Sequence, residues 1–122
     1  MKAIWLALSA SLITTVGQLV LKIGMNKLGP INSLMNNPIN LLQVMIINPF
    51  TLTALFLYAN GFIVWSIVLS KLDLSYAYPF LALAYILVPV SSWIILGEHI
   101  PMMRWVGILI ICAGLIIVGC AK

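Results

Sequence analysis

Four apolar stretches, each close to the length that crosses a bilayer, predict an all-α membrane protein: four transmembrane helices, a short interfacial helix between the first and second, and assembly as a dimer. Of the 122 residues, 64% are hydrophobic and 7% are charged, with mean hydropathy +1.21. That leaves too little polar surface for a soluble globular domain. A helix needs about 20 mostly apolar residues to cross the hydrocarbon core, and residues 3–24, 50–70, 74–96 and 102–120 each qualify. The remaining insert, residues 25–49, is broken by prolines. The expected organisation is one four-helix transmembrane domain over residues 1–122.

The first span carries Ser11, Thr14, Gln18 and Lys22 at steps of three and four, so on a helix they share one face. Ile4, Trp5, Leu8, Leu12, Val16 and Leu19 occupy other faces and suit lipid or packed protein. A cation near membrane depth is costly and usually lines a cavity or pairs with a partner, so the polar face is a candidate substrate path. Lys22 lies about 28 Å along the helix from Ala3, and it reads either as a ligand or as a residue snorkelling to the headgroups. Gln18, one turn deeper, reads as a cavity residue or as a hydrogen-bonding group between helices. Lys2 precedes the apolar run, but the run is too long for a signal sequence and no small-residue cleavage site follows, so a retained helix is expected.

The insert is bounded by Gly29-Pro30 and punctuated by Asn37-Pro38 and Asn48-Pro49. Asn followed by Pro suits an N-cap followed by the first helical position, where the amide that proline lacks has no partner anyway. From Pro38 to Ile47, Asn40 and Gln43 recur at helical spacing among apolar residues. Ten residues cannot span, so this stretch reads as an interfacial helix, with a loosely ordered apolar loop as the alternative.

In the second span Asn60 is the buried polar group of note, either lining a cavity or bonding to a neighbouring helix. The third span begins after Asp73, with Asp73 or Ser75 available as a cap, and contains Pro79 and Pro89, which predict kinks near both. It also carries Tyr76, Tyr78, Tyr85, Ser91 and Ser92, with Ala77, Ala82 and Ala84 small enough for helices to approach closely. Tyr76 near the membrane edge fits an aromatic belt, as do Trp5, Trp65, Trp93 and Trp105, which otherwise serve as packing residues. Glu98, His99 and Arg104 read as a solvated turn between spans three and four, or as a headgroup or gating contact. In the fourth span Gly107 and Gly114, seven apart, fall on nearly one face and suit packing between subunits. Four helices cannot enclose a sizeable polar cavity alone, so a homodimer or heterodimer is expected, with spans one to three lining the chamber.

The net charge of +4 comes from six scattered Lys and Arg residues with no basic run and no interleaved aromatics, which excludes nucleic acid as a partner and points to lipid headgroups. If the chain alternates sides, Lys2, Lys71 and Lys122 face Lys22, Lys27 and Arg104, a near balance that leaves only a slight lean to a cytoplasmic N-terminus. Cys112 and Cys120 stand about 12 Å apart along one helix, too far for a disulfide. With one histidine and no Cys/His ligand spacing, no metal and no cofactor are expected. Neither Asp73 nor Glu98 has an acidic partner and no nucleophile set can assemble, so the chain reads as a non-enzyme.

Several motifs resemble a known group. Val16-Gly17-Gln18 with Lys22, Leu74-Ser75-Tyr76-Ala77-Tyr78-Pro79, Leu96-Gly97-Glu98, and Trp105-Val106-Gly107-Ile108 with Gly114 are similar to the drug/metabolite transporter superfamily in its four-helix, small multidrug resistance and EamA-like form. The resemblance implies a multi-pass protein of the bacterial plasma (inner) membrane. Proton-coupled cation exporters of that group carry a glutamate three residues before the glycine matching Gly17, where this chain has Thr14. A threonine cannot exchange a proton for a cationic drug. The binding-chamber tyrosine is matched by Tyr78, while the tryptophan three residues on is Leu81. The pattern is more similar to the small subunits of the aminoarabinose–undecaprenyl phosphate flippase, which also lack the glutamate and keep Gly-Gln with a lysine nearby and an Ala-Tyr-Pro motif.

The resemblance implies translocation of a polyprenyl phosphate-linked sugar or similar anionic lipid headgroup. An anion suits Lys22 and the Gln18 amide better than a cation would. The substrate-binding candidates are Thr14, Gln18, Lys22, Asn60, Tyr78 and Tyr85. Two alternatives share the same helices: a small-solute or multidrug exporter, and a non-transporting accessory subunit of a membrane enzyme.

Overall fold

The computed structural model describes residues 2–29 and 37–120. The expectations for Pro30 of the Gly29-Pro30 boundary and for Lys122 lie outside the described residues. Six α-helices follow one another, with no strand among the described residues: α1 Lys2–Leu28, α2 Pro38–Ile47, α3 Pro49–Leu69, α4 Leu74–Ala82, α5 Ala84–Leu96 and α6 Met102–Cys120. Four segments are long and apolar enough to cross a membrane: α1, α3, α4 with α5, and α6.

Each Asn-Pro pair starts a helix. Asn37 Oδ1 accepts from the Ile39 amide and Asn48 Oδ1 from the Phe50 amide, while Pro38 and Pro49 fill the first helical positions. Asn48 also ends α2, its own amide donating to the Val44 carbonyl. α4 starts at Asp73, whose side chain makes no capping bond.

The third span is interrupted between its two prolines. Both Pro79 and Pro89 sit inside helices, and the interruption falls at Leu83, between α4 and α5. The Leu83 amide reaches back to the Phe80 carbonyl in a three-residue turn rather than to Pro79, and Leu83 then accepts from Ile86 and Leu87 to begin α5. A proline's ring crowds the carbonyl four residues before it, which for Pro79 and Pro89 is that of Ser75 and Tyr85, so neither push falls on Leu83.

α1 packs most extensively on α3 and runs antiparallel to it. The contact is close because the facing residues are small. A Cβ on Gly17 would sit 3.1 Å from the Tyr58 ring, one on Gly61 3.1 Å from the Thr14 methyl, and one on Gly24 only 2.7 Å from Phe50 Cβ. At the far end Ala7, Val68 and Ala77 form a buried cluster that Leu6, Trp65, Leu72 and Phe80 surround. Small residues let helix backbones approach in a bilayer, where lipid tails give little hydrophobic drive for association. α4 and α5 run parallel to α1 along its other side, and α6 returns against them, Trp93 and Trp105 meeting edge to face at 5.9 Å. α6 buries little: Leu109, Ile110, Ile116 and Ile117 are exposed, and nothing lies within 4 Å of a Cβ placed on Gly107 or Gly114.

Candidate functional site

The polar stripe of α1 divides in two. Its N-terminal half is spent on packing: Ser11 is buried and donates to the Phe80 carbonyl at 2.6 Å, and Thr14 donates to the Ala10 and Ser11 carbonyls while its methyl meets Gly61. A mid-helix hydroxyl bonded to carbonyls three or four residues back is satisfied within its own helix. The C-terminal half opens onto space. Gln18 and Lys22 line a cleft of about 290 Å³ with Val88, Pro89, Ser92 and Leu96 of α5, Glu98 and Ile100 of the α5–α6 turn, and Arg104 of α6.

A second hollow of about 560 Å³ shares Gln18, Val88 and Pro89 with the first and continues past Leu81, Ala82 and Ala84 to Tyr78 and Tyr85. The two form one groove with unlike ends. At one end stand three charged side chains. At the other stand two tyrosines, Tyr78 and Tyr85, that are more than half exposed on the outer face of the third span. Tyr78 is held in place by Trp65 of α3, the rings meeting edge to face at 6.1 Å. Gln18 sits where the two ends join.

The charged end is organised by the termination of α5. Gly97 adopts a left-handed conformation with φ 66°, which a residue without a Cβ accepts at little cost, and turns the chain back on itself. The Glu98 amide then donates to the Ser92 carbonyl, and the Ser92 hydroxyl donates to Glu98 Oε2. Glu98 Oε1 lies 3.5 Å from Lys22 Nζ, joining the end of α5 to α1. The Ser92 hydrogen bond holds the Glu98 carboxyl below the usual carboxylate range; the charges of Lys22 and Arg104 act in the same direction, and partial desolvation opposes them. Two cations against one carboxylate leave the cleft net positive.

Of the six candidates drawn from the sequence, Gln18, Lys22, Tyr78 and Tyr85 therefore line one groove. Thr14 and Asn60 stand outside it, Asn60 donating back to the Phe56 carbonyl of its own helix at 2.8 Å. The sequence offers a solvated turn or a headgroup or gating contact for Glu98 and Arg104; both line the cleft, and Ser92 anchors Glu98. One signal pointed that way: Lys22 and the Leu96-Gly97-Glu98 end of the third span lie at the same end of parallel helices.

The model of the EamA-like transporter family matches residues 34–120. The chain belongs to the EamA-like transporter family. Its members are transporters rather than enzymes, and with four spans this is a multi-pass protein of the bacterial inner membrane. Over 117 residues it is 26% identical to the probable 4-amino-4-deoxy-L-arabinose-phosphoundecaprenol flippase subunit ArnE of Pseudomonas fluorescens (strain Pf0-1), covering 96% of each protein. Over 68 residues it is 35% identical to the subunit of the same name from Salmonella paratyphi B, covering 56% of this chain and 61% of that one. The Salmonella typhimurium subunit matches with the same figures. No solved structure matches the chain.

Proposed function

We propose that this transporter moves a polyprenyl phosphate-linked sugar, or a similar anionic lipid headgroup, across the membrane. The observation that carries the reading is the groove of unlike ends: Lys22 and Arg104 beside Gln18 at one end, and Tyr78, Leu81 and Tyr85 along an apolar wall at the other. An ammonium and a guanidinium suit a phosphate, and the Gln18 amide can donate or accept with a sugar hydroxyl. The tyrosine end is open to the side, so a prenyl tail can stay in lipid while the headgroup travels. The flippase-subunit name borne by the relatives agrees with this cargo. A cationic drug exporter is less well supported, because Thr14 cannot ionise and its hydroxyl is already bonded within α1.

The groove has walls on α1, α4 and α5 and lacks a cover, and we read a second subunit as that cover, whether a copy of this chain or a similar subunit. Gly107 and Gly114 on the sparsely packed α6 are the proposed contact between subunits. The four spans are read as one transmembrane domain. α2, with Ile39, Leu42, Ile46 and Ile47 exposed, is read as lying in the interface beside the ends of α1 and α3.

Purified protein in liposomes tests the reading. Transbilayer movement of a fluorescent polyprenyl phosphate-linked sugar is expected, without flux of small cations or neutral solutes. Lys22→Ala and Gln18→Ala are expected to abolish it while expression and dimerisation persist. Normal movement with both variants overturns the site; solute flux without lipid movement selects an exporter; neither activity selects an accessory subunit.

A further inference from the structure

The charged cleft contains an acid that the transport reading leaves unused. Glu98 is held twice by Ser92, through its backbone amide and through Oε2, so its carboxylate is fixed to the end of α5. Lys22, by contrast, reaches across from α1 on a long stem with its side chain half exposed. A carboxylate and a phosphodiester are both monoanions offering oxygen acceptors to an ammonium, and a phosphate oxygen seated on Lys22 would meet Glu98 as a like charge.

Resting on the reading that this groove carries a lipid phosphate, we infer that Glu98 is an internal stand-in for that phosphate. It occupies Lys22 in the empty site and is displaced when the headgroup arrives. The pairing keeps Lys22 compensated when no cargo is present, which a cation near membrane depth requires. Displacement leaves Glu98 with its Ser92 hydrogen bonds and beside the charge of Arg104, so the acid remains satisfied. It also breaks the ion pair that ties α1 to the α5–α6 turn, so cargo binding frees these elements to separate. After transfer Glu98 reclaims Lys22 and expels the headgroup by competition and like-charge repulsion. Glu98 is thus a positioning residue that weakens binding and speeds release.

The full chain in lipid nanodiscs tests this with two probes, a fluorescent polyprenyl phosphate-linked sugar and inorganic phosphate. Glu98→Gln keeps the shape and removes the competing charge. It is expected to bind the lipid roughly three- to tenfold more tightly than the parent while moving it across the bilayer more slowly, the size being that of an exposed ion pair plus one relieved repulsion. Lys22→Ala combined with Glu98→Gln should lose the gain. Glu98→Asp, which keeps the charge but withdraws it by one methylene, should show a smaller gain and serves if the glutamine variant does not fold. A merely structural ion pair predicts lower thermal stability with unchanged or weaker lipid binding, and that result overturns the inference. Equal lipid binding by parent and variant leaves the lipid reading standing and removes the exchange. Tighter inorganic phosphate with no lipid binding keeps the exchange and removes the lipid reading, and binding of neither probe removes both.

Discussion

Asn48 joins three helices, α2 through its backbone amide and α3 and α1 through its side chain, and removal of that side chain tests how the groove is held at the Lys22 end. It ends α2, caps α3 through Oδ1 to the Phe50 amide at 2.9 Å, and donates from Nδ2 to the Gly24 carbonyl of α1 at 3.3 Å, two residues beyond Lys22. Only 9% of the residue is exposed, so water does not replace lost partners fully. Loss of an N-cap costs about 1 kcal/mol. The bond to Gly24 is long and contributes at the lower end of about 0.5–1.5 kcal/mol. Asn48→Ala is therefore expected to cost about 1.5–2.5 kcal/mol, and Asn48→Ser, which keeps the cap but loses the tether, about 0.5–1 kcal/mol. Asn48→Asp keeps the cap but turns an acceptor toward the Gly24 carbonyl, and it should cost at least as much as serine. Unfolding in mixed detergent micelles, followed by circular dichroism, gives the three values. Equal losses for alanine and serine would refute the capping role, and an aspartate variant as stable as the parent would refute the tether.

Gly24→Ala places a methyl group 2.7 Å from Phe50 Cβ, a contact that requires α1 and α3 to part; about 1–3 kcal/mol of stability should be lost in the same assay. Gly107→Ala meets nothing within 4 Å in the chain, so monomer stability should hold while the dimer fraction in crosslinking falls. Because the Glu98 carboxyl lies below its usual range, the ion pair with Lys22 persists at neutral and mildly acidic pH and is lost as pH falls through the lowered value. Spin labels on α1 and on the α5–α6 turn should report a constant distance from pH 7 to 5 and a longer one under stronger acid. Ser92→Ala removes the largest influence on that carboxyl and should move the transition to higher pH.

Local chemistry determined much of this molecule before any packing was considered. The four spans follow from runs of apolar residues near bilayer length, and the starts of α2 and α3 follow from Asn-Pro pairs whose capping chemistry spans two or three residues. Gln18 and Lys22 were legible as a pair because helical periodicity alone puts them on one face. The same periodicity grouped Ser11 and Thr14 with them, and only the approach of α3 and α4 separates the two halves: Gly61 admits the Thr14 methyl and the Phe80 carbonyl takes the Ser11 hydroxyl. The prolines predict kinks near themselves, while the break in helical hydrogen bonding lies at Leu83, whose amide reaches Phe80 three residues back. For Glu98 and Arg104 the sequence leaves a solvated turn and a headgroup or gating contact both open, because nothing within their own segment separates the two. The ion pair of Glu98 depends on Lys22, which lies 76 positions earlier in the chain and meets it because α1 and α5 run parallel to the same end. A charge gains its partner through three-dimensional proximity, and that belongs to the tertiary structure alone.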